Sequence, residues 1–182
     1  MTPRADATRN RARVLDSAHA VFAEHGLGAS TEQIARHAGV GVGTVFRHFP
    51  TKEALLSAVL AARLDALADE AETLAAQGES GDGLYRLMRS AVAASSLKTA
   101  FAEALQRAGV DVSDAVAPAR GRLTNTVGTL LDQAQRAGTA RTDIEVRQVF
   151  ALLVAATHAV TYLDDDPLRE RTLDLILSAL RP

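Results

Sequence analysis

The stretch from Ser30 to Leu56, STEQIARHAGVGVGTVFRHFPTKEALL, decides how the rest of the chain is read. Ser30 can accept a hydrogen bond from the backbone three residues on, and Gln33 stands where it can return one. This capping box opens a short helix that carries Ile34, Ala35 and Ala38 on its apolar side. Gly39 supplies the left-handed conformation that stops it. Val40 plugs the turn into the core, and Gly41 is a permissive cap for a second helix, Val42 to Phe49. Two short helices across a tight glycine turn, followed at once by a third helix start at Pro50 and Thr51, have the layout of a helix-turn-helix that reads DNA.

The second of these helices carries Thr44, Phe46, Arg47 and His48, side chains that donate to phosphates, pack on thymine methyls or fork onto guanine. The expected DNA-facing set is Ser30, Thr31, Gly41, Val42, Gly43, Thr44, Phe46, Arg47, His48 and Lys52. Within it Arg47 is the base reader, because a forked guanidinium on guanine is the commonest specific contact. Thr44, Phe46 and His48 position the helix on backbone and methyl groups. Lys52, with the free N–H groups at the next helix start, clamps a phosphate, as Ser30 and Thr31 do at the preceding helix. Phe49 is assigned to the core and Phe46 to contact.

The run AGVGVGTVFRHFPTKEALL resembles the DNA-binding signature of the tetracycline-repressor (TetR-type) family: a Gly-Val turn, a Gly-Thr pair, an aromatic residue, His or Tyr, Phe, and a Ser/Thr-Lys-Glu helix start. The resemblance covers about residues 8–60, roughly a third of the chain, and beyond it only length and helical pattern agree. Gly41 stands where Ser is usual and His48 where Tyr is usual. The resemblance implies an all-α fold with a three-helix, homeodomain-like DNA-binding domain and a larger C-terminal helical domain for effector binding and dimerisation. It also implies transcriptional control, usually repression, switched when a small molecule tilts the fourth helix and changes the separation of two recognition helices. The expected division is residues 1–51 and 52–182.

A net charge of −2 conceals an asymmetry that fits this reading. Residues 1–52 hold seven Lys/Arg against four Asp/Glu and four of the five histidines, whereas residues 53–182 hold thirteen against eighteen. Arg4, Arg9, Arg11 and Arg13 suggest a basic arm able to reach phosphates or the minor groove. The absence of cysteine excludes disulfides and thiolate chemistry and is compatible with the cytoplasm, the expected location. The polar N-terminus has no apolar signal segment. The longest uncharged apolar run, Val149 to Leu163, is shorter than the about 20 residues a bilayer needs, so no membrane association is expected.

Helical periodicity continues throughout, with no strand-like alternation and no repeat. A first helix is expected from about Ala7 to His25, stopped by Gly26. A fourth follows Pro50 and Thr51 and is closed by a flexible GESGDG break at 78–83. The next period, from Leu84 through Phe101 and Leu105, ends at Gly109. Residues 110–116 read as a short irregular or helical connector, with Pro118 in the first turn of the following helix. Thr142 and Glu145 suggest a capping box for a helix that is apolar on nearly every side. Asp166 caps the last helix, with Pro167 at its first position. Both last helices carry more apolar surface than one protomer can cover, which implies a homodimer in which they pair as a four-helix bundle. Two-fold symmetry then places two recognition helices on a palindromic operator in double-stranded DNA, with half-sites roughly 34–36 Å apart or a little more.

Candidate effector contacts are Tyr85, Met88, Phe101, Leu105, Asn125, His158 and Tyr162, polar or aromatic groups on mostly apolar helices. Asn125 or His158 is expected to offer one of the few polar contacts to an apolar or amphipathic effector of unknown identity. An alternative is a DNA-binding regulator controlled by a protein partner rather than a ligand, which a filled core would favour over an enclosed cavity. An all-α enzyme rests only on Asp164-Asp165-Asp166. Metal binding needs carboxylates on one helical face and a second cluster opposite, but Pro167 follows at once and no partner cluster exists. No cofactor, metal or catalytic set is expected.

Overall fold

The computed structural model describes residues 3–78 and 81–182, and the side chains of these except 3–6 and 96. Glu79 and Ser80 of the expected break, and the side chain of Arg4, therefore lie outside the described residues. All regular structure among the described residues is helical: α1 (Pro3–His25), α2 (Thr31–Ala38), α3 (Val42–His48), α4 (Lys52–Gln77), α5 (Gly83–Ala93), α6 (Ser95–Arg107), α7 (Ser113–Arg136), α8 (Val146–Thr161) and α9 (Asp166–Ser178). They group into two compact units, residues 1–63 with 97–117, and residues 64–96 with 118–182. The chain thus changes unit inside α4 and again near the start of α6, so residues 52–63 and 97–117 group with the N-terminal helices.

In the first unit α1 packs on α2 and α3, burying Val14, Ala18, Val21 and Phe22 at helical spacing against a core that includes Ile34, Val45, Phe49, Val59 and Leu60. The Phe22 and Phe101 rings meet edge to face with centroids 5.7 Å apart, which ties α6 to α1. Arg63 of α4 donates to Asp16 of α1 at 3.0 Å. The helix starts at Pro3 rather than Ala7, so the basic arm is helical: Pro needs no N–H partner in a first turn, and nothing up to Gly26 breaks the period. Arg13 donates to Asn10 within the same helix.

The second unit is built on Ala68, Ala71 and Leu74 of α4, with Leu84, Leu87 and Met88 of α5, Leu123, Val127, Leu130 and Leu131 of α7, and Leu173 and Leu177 of α9. Arg122 of α7 donates to Glu72 of α4 through Nε at 2.8 Å and also meets Asp69. These carboxylates raise the Arg122 guanidinium above its ordinary range, Glu72 foremost.

Several expected boundaries move. The Leu84–Gly109 period is interrupted at Ala94, because α5 buries Leu84 and Met88 in the second unit's core whereas α6 buries Phe101 and Leu105 in the first unit. The connector at 110–116 is helical from Ser113, where α7 opens with Val112 accepting from Val116, so Pro118 lies inside that helix rather than in its first turn. The cap of α8 is Glu145, whose N–H donates to Gln148 Oε1 at 2.8 Å. Thr142 is bypassed because Arg141 and Asp143 pair with each other across it. Asp165, not Asp166, caps α9, accepting from Leu168 N–H at 2.7 Å. The break is pinned at Gly81, where the carbonyl accepts from Thr139 Oγ1 at 2.8 Å and an added Cβ would lie 2.6 Å from Ala137 Cβ.

Candidate nucleic-acid interface

The helix-turn-helix is assembled by local hydrogen bonds that the sequence specifies. Ser30 Oγ accepts from Gln33 N–H at 3.3 Å, and Gln33 Oε1 accepts from Ser30 N–H at 2.7 Å. Gly39 sits at φ +64°, and the next N–H, of Val40, reaches back to the Ala35 carbonyl at 3.0 Å, which closes the helix in a Schellman-type turn. Gly41 has extended backbone at the start of α3 and offers no side-chain cap. Thr51 Oγ1 accepts from Ala54 N–H at 3.0 Å and so opens α4. Ser30→Ala is expected to lower stability by about 1 kcal/mol, read in urea unfolding, because the orphaned Gln33 N–H must turn to water.

The short helix α3 has two faces. Val45 is fully buried and Phe49, its C-terminal cap, nearly so, whereas Phe46 is 47% exposed. The one-turn spacing from Val45 to Phe49 anchors α3 in the core and turns Gly43, Phe46 and Arg47 to solvent, with Val42, Thr44 and His48 at the half-buried margin. Arg47 has no hydrogen-bond or ion-pair partner among the described residues. A long cation and a large aromatic side chain held outward together, without partners of their own, suit a groove floor that offers base edges and methyl groups.

Ser30 is exposed, while Thr31 and Lys52 are half-buried. Lys52 Nζ donates to the Ala29 carbonyl at 3.2 Å, so the lysine joins the start of α4 to the residue before the α2 cap. Sequence reasoning missed that second role, since a contact across 23 residues leaves no local signal. Arg36 and His37 are exposed in the last turn of α2 and add positive charge beside α3. Arg11 of α1 lies over the Phe49 ring at 5.3 Å, and so supports the anchor of α3 as well as adding positive charge.

His19 of α1 is held below its ordinary value of 6.5, first by burial and then by Arg63, with Asp16 opposing. The unfolded chain therefore takes up this proton more readily than the folded one. The contribution of His19 to stability is thus fully present above about pH 6.5 and is lost as pH falls below it. His19→Gln should flatten the decline of Tm between about pH 7 and pH 5, and an unchanged slope would assign that decline to other groups.

The seven candidate effector contacts fall in both units. Phe101 and Leu105 are buried in the first unit, and Met88 is buried in the second. Tyr85 donates to the Thr139 carbonyl at 2.7 Å and is covered by Arg181. Asn125 and His158 are exposed, and Tyr162 is 83% exposed. A cleft of the second unit, lined by Leu74, Gln77, Gly81, Arg86 and Gln133, has a volume of about 30 Å³, room for one water, and none of the seven borders it. Among the described residues no His, Asp or Glu cluster is placed to hold a metal ion, and no helix is long and apolar enough to cross a membrane.

Residues 14–59 match the family model described as bacterial regulatory proteins, tetR family, and residues 79–182 match the C-terminal domain of SbtR-like transcriptional regulators. HTH-type transcriptional regulators of Staphylococcus aureus are 41% identical over 63 residues, 34% of this chain and 34% of theirs, so the match spans about a third of the length of these curated relatives. The solved TetR transcription regulatory protein of Mycobacterium vanbaalenii is 42% identical with a TM-score of 0.80, covering 100% of both chains. The TetR transcriptional regulator SCO0520 of Streptomyces coelicolor is 35% identical with a TM-score of 0.79, covering 94% of this chain and 98% of its own.

Proposed function

This chain belongs to the TetR family of DNA-binding transcriptional regulators, and from that premise we propose that it acts as a homodimeric repressor, released from a palindromic operator by a small apolar or amphipathic effector. One observation carries the proposal. Among the described residues five large apolar side chains are exposed, and their positions are selective. Phe46 is on α3, and Val154, Tyr162, Leu168 and Leu175 are on α8, its cap and α9. Exposed apolar area of this kind is favourable to bury, at about 25 cal/mol per Å². The first position supports a role in the major groove, and the other four support pairing of α8 and α9 with a second copy.

In this proposal Arg47 reads a base, Thr44, Phe46 and His48 seat the helix, and Ser30, Thr31 and Lys52 hold phosphates on either side. Gly41, Val42 and Gly43 bring backbone close to the DNA. The domains work as a DNA-reading part, residues 1–51, and an effector-binding and dimerisation part, residues 52–182. An effector lowers affinity only by binding the DNA-incompetent state more tightly. The test is footprinting of the purified protein on DNA upstream of its own gene, paired with light scattering. Protection of two half-sites by a dimer is the expected result, and a monomer at micromolar concentration would overturn it.

A further inference from the structure

The helix α3 is seven residues long, too short to hold itself together in water, so its direction is set by what it packs against. Val45 and Phe49 supply that packing, and Phe49 is also the C-terminal cap, its N–H donating to the Val45 carbonyl at 2.8 Å. Two charged or titratable groups border the Phe49 ring. The His48 ring, from α3 itself, stands 6.2 Å away and tilted by 50°. The guanidinium of Arg11, from α1, lies over the ring at 5.3 Å from its centroid. Of these two, Arg11 is the one that joins α3 to another helix.

Arg11 is exposed and has no hydrogen-bond or ion-pair partner among the described residues. Its neighbour Arg13, by contrast, donates to Asn10 within α1. The ring is therefore the group that Arg11 engages. A guanidinium is weakly hydrated and packs well on an aromatic face, whereas an ammonium keeps its water. At an exposed site such a contact favours the packed arrangement by about two- to five-fold. Arg47 and Phe46 precede Phe49 by two and three residues, so a turn of α3 about its cap carries both with it. Contacts of long side chains to phosphates tolerate that movement, and a forked contact to one base edge does not.

We propose that Arg11 is a positioning residue for base readout, fixing the angle of α3 through its hold on the Phe49 ring rather than through a phosphate. The inference rests on the DNA-reading role of α3 given above and adds a residue outside the helix-turn-helix to those that decide sequence preference. In the proposed dimer each half-site is read by its own α3, so the effect enters once per half-site.

Arg11→Lys keeps the charge, Phe49→Leu keeps a buried apolar anchor without the ring, and the double variant closes the cycle. The probes are the duplex protected upstream of the protein's own gene and a scrambled duplex of equal length, each at two salt concentrations, with amide hydrogen exchange on the free protein alongside. Arg11→Lys is expected to lower the ratio of the two affinities by about two- to five-fold per half-site, leaving scrambled-duplex affinity and its salt slope unchanged. It should also speed exchange of the Phe49 amide by a similar factor, while the Val40 amide, which closes α2 on the Ala35 carbonyl, keeps its rate. In the Phe49→Leu background the same change at position 11 should leave the ratio where it was. An equal loss on both duplexes with a smaller salt slope would make Arg11 a phosphate contact and overturn the proposal, as would a loss of full size in the Phe49→Leu background. If the unmodified protein protects no duplex, the DNA-reading role of α3 falls. If it protects one and Arg11→Lys changes neither the ratio nor the Phe49 amide, this proposal alone falls.

Discussion

Leu175→Glu is expected to turn the protein into a monomer and to abolish operator binding while leaving the protomer folded. Leu175 is 68% exposed, so in an isolated protomer the carboxylate stays in water and stability changes by no more than about 0.5 kcal/mol. In a two-fold interface of α8 and α9 the same substitution places an unpaired charge on each side, each costing several kcal/mol, of the order of 3–5. That is enough to move a dimer with nanomolar affinity to dissociation at micromolar concentration. Val154→Glu on α8, 57% exposed, should act in the same way. Leu177→Glu, by contrast, should unfold the chain, because Leu177 is 3% exposed in the core of the second unit. Light scattering and circular dichroism on the three variants separate these outcomes. A dimeric Leu175→Glu protein would show that the interface lies elsewhere.

The second large effect is on sequence discrimination. Arg47→Ala should bring affinity for the operator close to that for random duplex, losing about 1–3 kcal/mol in each half-site. Lys52→Ala should weaken binding to all duplexes and reduce the salt slope by about one for each protomer. The two side chains differ in what holds them. Arg47 is exposed with no partner among the described residues, so its guanidinium is available to a base edge, whereas Lys52 is tethered to the Ala29 carbonyl at 3.2 Å. Lys52→Ala should therefore also cost some stability. Competition binding with operator and scrambled DNA at two or more salt concentrations reads both effects. Equal losses on the two DNAs for both variants would overturn this division of roles.

The reading motif was legible because each of its parts is local. Ser30 caps with Gln33, Gly39 adopts the left-handed turn, and Val45 and Phe49 are one turn apart, so short-range hydrogen bonding and helical spacing were sufficient. The placement of the candidate effector residues was less legible. Phe101 and Leu105 read as members of the same helical period as Met88, but the break at Ala94 sends them to a different core. Asn125 and His158 sit among apolar residues in the sequence and nevertheless face solvent, because periodicity gives a helix's apolar side without saying how far the packing reaches around it.

The sequence by itself determined the all-α class, the helix-turn-helix and the cationic end of the chain, since capping, glycine conformation and 3.6-residue spacing operate within about one helical turn. Tertiary structure alone decided that Lys52 bonds across the motif. It also decided that Val154, Tyr162, Leu168 and Leu175 stay uncovered in a single chain. Each of these depends on which distant surfaces meet, and the free energy of burial belongs to a pair of surfaces rather than to either one.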